Sequence, residues 1–118
     1  DGIDALMRII ENKDGCADAR IFNIGNPKND GSVRELAETV LRLVASYPKY
    51  AQLAKKVKLV HVDAGNYYGK GYQDIMTRVP SIKNAESHLV WKPKTDLETA
   101  LRKTLDYHLN PAIERLAG

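Results

Sequence analysis

The sequence predicts a helix-rich α/β chain with two short strands, organised as a single piece from residue 1 to residue 118. Three observations predict it. Apolar residues recur at helical spacing in several separate stretches, two brief runs rich in β-branched residues stand between them, and no linker of Pro, Gly or Ser divides the chain. A chain of this length buries roughly two-thirds of its unfolded surface, enough for one modest core.

The elements follow in order. Ile3, Leu6, Met7 and Ile10 repeat at helical spacing, with Asp1 as N-cap and Asp14-Gly15 as the stop after about Lys13. Ile21 to Ile24 reads as a short buried strand, stopped by Gly25-Asn26-Pro27. Ser32 and Glu35 form a capping box, and Val33, Leu36, Ala37, Val40, Leu41 and Val44 then make one apolar stripe. A short helix is expected within Lys49 to Lys56, and Val57 to Val62 reads as the second strand. Ser81 is placed to cap a helix from Ile82 to about Leu89, ended by Trp91-Lys92-Pro93. Thr95 and Glu98 suggest another capping box, opening a helix with Leu97, Ala100, Leu101, Leu105 and His108 on one face. A last short helix is expected from Pro111 to Leu116.

Composition narrows the function classes. The apolar fraction of 43% and the charged fraction of 28% are those of an ordinary globular domain. No apolar run reaches the ~20 residues that span a bilayer, and no signal-peptide pattern occurs. Cys16, the single cysteine, can form neither an internal disulfide nor a cysteine metal cage, which points to a reducing, cytoplasmic setting. No base or cation cluster stands beside it in sequence to activate the thiol. Lys49, Lys55, Lys56 and Lys58 are the densest basic run, but only Tyr47 and Tyr50 accompany them, so a solvated face is expected and no nucleic-acid partner.

Several chemistries lack their residues. No Gly-x-Gly-x-x-Gly occurs, since Gly69-Lys70-Gly71 has neither a third glycine nor a following helix. No Walker motif occurs, and His61, His88 and His108 have no metal-ligand spacing. What remains is Gly65 to Asp74, a non-periodic stretch rich in glycine and tyrosine, followed by Arg78. Such a stretch is suited to a structured loop, and loops of that length are commonly functional. A guanidinium grips phosphate or carboxylate at two points, and the Tyr72 ring and hydroxyl suit a ribose, a uracil or a sugar oxygen. Residue chemistry alone favours a structural ion pair for Arg78 and a core position for Tyr72 over ligand contact.

A resemblance goes further. Asp1 to Leu6, the run Phe22-Asn23-Ile24-Gly25-Asn26-Pro27 with Ser32 to Ala37, Arg78 to Ala85, and Leu89-Val90-Trp91-Lys92-Pro93 with Leu97 to Leu101 stand in a telling order. They resemble the C-terminal third of extended short-chain dehydrogenase/reductases, the NAD-dependent epimerase/dehydratases of nucleotide sugars. Tyr67 to Asp74 is similar to the UDP-glucuronic acid decarboxylase half of the bifunctional polymyxin-resistance enzymes of lipid A aminoarabinose modification. Val90 departs from that pattern, which carries a small or acidic residue before the tryptophan.

The resemblance implies a substrate-binding portion whose Rossmann sheet, NAD site and Tyr-x-x-x-Lys pair lie in a preceding part of the same polypeptide. It implies Tyr72 as a UDP-sugar contact and Arg78 as the catalytic residue and proton donor, with no cofactor-binding or metal residue in this chain. The implied reaction oxidises UDP-glucuronic acid at C4 and then releases carbon dioxide to leave UDP-4-ketopentose. A guanidinium stays protonated at neutral pH and is a poor general acid, so gripping the carboxylate and stabilising enolate charge suit it better. The whole enzyme is expected to be an oligomer, and this chain alone inactive. Two other readings stand beside this one: a portion of another nucleotide-sugar epimerase or dehydratase, and a stand-alone basic α/β binding module.

Overall fold

A computed structural model describes residues 1–62, 67 and 78–109. Five helices stand among them: α1 (Gly2–Glu11), α2 (Val33–Ala45), α3 (Ala51–Ala54), α4 (Lys83–His88) and α5 (Leu97–Leu109), with single 3-10 turns at Lys13–Gly15 and Pro27–Asn29. The chain divides into two compact units. One holds Asp1–Asp30 and Arg78–Ala100; the other holds Gly31–Thr77 and Leu101–Gly118.

The first unit is built around Trp91. Its ring is 1% exposed and clusters with Ala5, Ala85 and Leu89, while Ile9, Cys16, Ala17, Phe22, Ile24 and Ile82 pack around them. A buried indole N–H needs an acceptor. Trp91 Nε1 donates to the Asp1 carbonyl at 3.1 Å. Asp1 precedes α1, but its carboxylate makes no cap bond to that helix. Asp1 Oδ2 instead accepts from the backbone N–H groups of Lys94 and Thr95, at 3.0 and 2.8 Å.

Helix α1 presents a different face from the one its periodicity suggests. Ala5 is buried and Ile9 half-buried, whereas Ile3, Leu6, Met7 and Ile10 are all exposed, Ile3 by 73%. The small Ala5 side chain lets α1 lie close to the core cluster, and the stripe of larger residues is left on the outer side. Arg8 closes the inner side. Its Nη1 donates to the carbonyls of Leu89 and Val90, each at 3.0 Å. Asp4 Oδ2 lies 3.3 Å from Arg8 Nε, yet that buried nitrogen makes no hydrogen bond, so the pair acts through charge without donor alignment.

The expected strands do not form. Among the described residues no strand is present, so both Ile21–Ile24 and Val57–Val62 correct the sequence reading. A strand exists only through a ladder partner. Ile21 to Ile24 keeps strand-like alternation, with Phe22 and Ile24 half-buried and Ile21 and Asn23 exposed. Its polar contacts to the α4 region come through side-chain amides. Asn84 Nδ2 donates to the Ile21 carbonyl at 3.1 Å, and Asn23 Nδ2 to the Ser81 carbonyl at 3.4 Å. In the second unit Val57, Leu59, Val60 and Val62 are exposed, with no neighbouring edge among the described residues.

Capping was read partly correctly. The Ser32–Glu35 box forms in both directions: Glu35 N–H donates to Ser32 Oγ at 3.1 Å, and Ser32 N–H to Glu35 Oε2 at 2.7 Å. Leu43 is the fully buried side chain of α2, and Ser46 and Pro48 follow its end. Tyr47 Oη donates to Asp106 Oδ1 at 2.5 Å, and this bond pushes the phenol up from its ordinary value. Ser81 does not cap α4, which starts after Ile82 with no side-chain cap. For α5 the cap is Asp96 and not Thr95: Thr99 N–H donates to Asp96 Oδ1 at 2.7 Å. Thr95 lends its carbonyl elsewhere, to the side-chain amides of Asn26 at 2.9 Å and Asn29 at 3.3 Å. The expected helix at 111–116 lies outside the described residues.

Two stability effects follow. Val90 has φ 50°, a left-handed backbone that a β-branched residue adopts only under strain. Val90→Gly should stabilise the fold by about 1 kcal/mol, read as a higher urea midpoint at unchanged slope. An unchanged midpoint would contradict the strain. The backbone hydrogen bond from Ser32 holds the Glu35 carboxyl below its usual range, and Thr99 does the same for Asp96. Both folded values are depressed, so these caps support the fold above the ordinary carboxylate range and lose that support as pH falls through the lowered values. Ser32→Ala removes the hydroxyl bonds but keeps the backbone N–H to Glu35. It should cost about 1 kcal/mol at neutral pH and flatten the acid side of the stability profile only in part, measured by urea unfolding across pH.

Candidate functional site

The candidate site is the segment that leads into α4. Arg78 is exposed, Val79 is 46% exposed and Pro80 is half-buried. Among the described residues Arg78 makes no hydrogen bond and no ion pair, so the structural ion pair that residue chemistry favours is not formed there. Its guanidinium keeps a planar fork of donors available to an anion. Tyr72, expected as a sugar-nucleotide contact, lies outside the described residues, as do Asp63–Asn66 and Tyr68–Thr77 around it. Tyr67 is described and is exposed.

The Arg78 segment is fixed from behind. Contacts pair Ile21 with Asn84, Asn23 with Ser81 and Gly25 with Pro80, so residues 21–25 run in the opposite direction to 80–84. At Gly25 the approach is close: a Cβ there would lie 2.9 Å from Pro80 Cγ. The next residue, Asn26, caps the Pro27–Asn29 turn with its oxygen, accepting from Lys28 N–H at 3.0 Å. Its amide nitrogen holds the Thr95 carbonyl. The residues Asn23, Gly25 and Asn84 thus position the segment that carries Arg78.

Sequence reasoning missed this seam. Its signal was the asparagines flanking an apolar run, which read as turn formers and not as donors to a neighbouring segment. Arg8 was missed for another reason. Its spacing from Asp4 suggests a surface pair, which hides the clamp on the 89 and 90 carbonyls.

Other candidates carry less chemistry. Cys16 is half-buried against the Trp91 cluster. Lys49 Nζ sits 5.4 Å from the centre of the Tyr50 ring, and Tyr47 is engaged by Asp106. Among the described residues no three His, Cys, Asp or Glu side chains gather as a metal would need, and no helix is long and apolar enough to cross a membrane.

Among the described residues, Gly31 precedes α2, and a Cβ there would meet Glu35 Oε2 at 3.5 Å. A pyrophosphate approaching that helix end would face a carboxylate already bonded to Ser32, so the start of α2 does not suit a dinucleotide.

Comparison with known proteins places the fold. The chain matches the crystal structure of PbgP3 protein from Burkholderia pseudomallei with a TM-score of 0.76 and 44% identity over 98% of its own length. It is related to that protein in sequence and in fold. The match covers 31% of the PbgP3 chain, so this chain spans about a third of its relative. No protein-family profile matches the chain.

Proposed function

We propose that this chain is the substrate-binding part of an NAD-dependent UDP-glucuronic acid decarboxylase in lipid A aminoarabinose modification and polymyxin resistance. The observation that carries the reading is Arg78: an exposed guanidinium, unpaired among the described residues, at the end of a tyrosine- and glycine-rich stretch similar to that of such decarboxylases. The relation to PbgP3 supports it, as does the share of that chain which this one spans. The outward stripe of Ile3, Leu6, Met7 and Ile10 supports it too, because contiguous apolar surface of that kind marks an interaction face for further protein.

The chemistry asked of this chain is electrostatic. In the 4-keto sugar the C5 carboxylate is β to a carbonyl. The bond from C5 to the carboxylate carbon breaks, carbon dioxide leaves, and the electron pair becomes the enolate across C4 and C5. A proton then returns to C5. Arg78 grips the carboxylate at two points before the break and offers a fixed positive charge while the enolate exists. Tyr72 holds the nucleotide end. The oxidation at C4 belongs to the NAD-binding part of the polypeptide.

The complete polypeptide given UDP-glucuronic acid and NAD should release carbon dioxide and form UDP-4-ketopentose, followed by product analysis. Arg78→Lys keeps the charge, removes the fork, and should lower turnover on the order of a hundredfold. Normal turnover in that variant rejects two-point gripping. Conversion of a nucleotide sugar without carbon dioxide release would move the chain to an epimerase or dehydratase.

A further inference from the structure

We infer that Gly25 is a positioning residue for Arg78: its bare backbone seats the Pro80 ring and so fixes where the guanidinium-bearing segment leaves the first unit. The inference rests on the reading of Arg78 given above. Gly25 is not there for its backbone angles, because Gly15 is the glycine with positive φ and Gly25 is not. It is there for space. A Cβ at Gly25 would stand 2.9 Å from Pro80 Cγ and 3.8 Å from Pro80 Cβ, and the first distance is closer than real carbon contacts allow.

The clash could not be relieved cheaply. A proline ring closes onto its own backbone nitrogen, so Cγ shifts only by ring pucker and cannot swing clear as the tip of a long side chain would. Displacing the ring displaces the Pro80 backbone. Downstream the chain is tied, by Asn23 to the Ser81 carbonyl and by Asn84 to the Ile21 carbonyl. Upstream, proline holds Val79 in an extended conformation, so little slack remains between the ring and Arg78. The displacement therefore passes through Val79 toward Arg78, two residues before Pro80.

The test is a set of variants of the complete polypeptide, assayed with UDP-glucuronic acid. Gly25→Ala should lower turnover about tenfold or more, as misplacement of a gripping group does. Pro80→Ala removes Cγ, so adding Gly25→Ala to it should cost nothing further. In the Arg78→Lys background, where the fork is already lost, Gly25→Ala should also add little, a non-additivity that a general packing defect does not produce. Parental turnover in Gly25→Ala, or an equal loss in all three backgrounds, overturns the inference. Should Gly25→Ala not fold, the Gly25→Ala/Pro80→Ala double variant carries the test: turnover equal to that of Pro80→Ala supports the seat, and a further tenfold loss refutes it. If the parent itself releases no carbon dioxide, the decarboxylase reading fails separately. Crystal structures of parent and Gly25→Ala then decide: shifted Pro80 and Arg78 backbones uphold the seat, and unmoved ones overturn it.

Discussion

The first unit depends on satisfying Trp91. Burying an indole gains a large apolar area, but its N–H must keep a partner in a place water does not reach. That partner is the carbonyl of Asp1, ninety positions earlier in the chain. Once this bond is made, the rest of the tie follows. The Asp1 carboxylate is brought beside the N–H groups of Lys94 and Thr95, and Arg8, two turns along α1, reaches the carbonyls of Leu89 and Val90. Both ends of the 89–95 segment are thereby held by one short helix. The chain reverses between Leu89 and the buried ring through the left-handed Val90, and Trp91 N–H closes back on the Ala85 carbonyl at 3.1 Å beside the Arg8 bond to the Val90 carbonyl.

What the sequence made legible follows from which interactions are local. The Ser32–Glu35 box was readable because donor and acceptor lie three residues apart and the helix itself brings them together. The α5 cap was misplaced by one residue because Thr95 and Asp96 are both good caps. A tertiary demand decided between them, since Asn26 and Asn29 claim the Thr95 carbonyl. The strands failed for a related reason. The apolar run from Ile21 to Ile24 reads as a buried strand, yet Ile21 and Asn23 are exposed and only Phe22 and Ile24 half-buried, and a ladder is a property of two segments. Here the neighbour is bound by asparagine amides, and no periodicity encodes that choice.

The same distinction applies to the site. Residue chemistry favours an ion pair for Arg78, and only the resemblance singles it out; among the described residues that ion pair is not formed. The seam behind it could not be read. Gly25 in a Gly-Asn-Pro run looks like an ordinary turn residue, and nothing local says that a proline fifty-five positions later comes to rest on it. Helix α1 shows the converse error. Its apolar spacing was plain, yet the periodicity cannot say which of two faces meets this unit's core. Ala5 and Ile9 took that place, and the more apolar stripe was left outward.

An outward apolar stripe and a cation unpaired among the described residues pull toward the same conclusion. Leu6, Met7 and Ile10 stay exposed, and Arg78 finds no partner among the described residues. Departures of that kind from local consistency concentrate where a structure serves something beyond its own folding. The two features differ in kind. Apolar surface asks for more protein, while a guanidinium on a seated, proline-stiffened segment asks for an anion held at a fixed place. On the proposed decarboxylase reading, rigidity behind Arg78 would matter because the ligand's charge moves from a carboxylate to an enolate oxygen several bonds away. A mobile cation would follow that charge and favour both states alike. A cation fixed as inferred for Gly25 and Pro80 would be set nearer to one of them, and only that difference lowers a barrier.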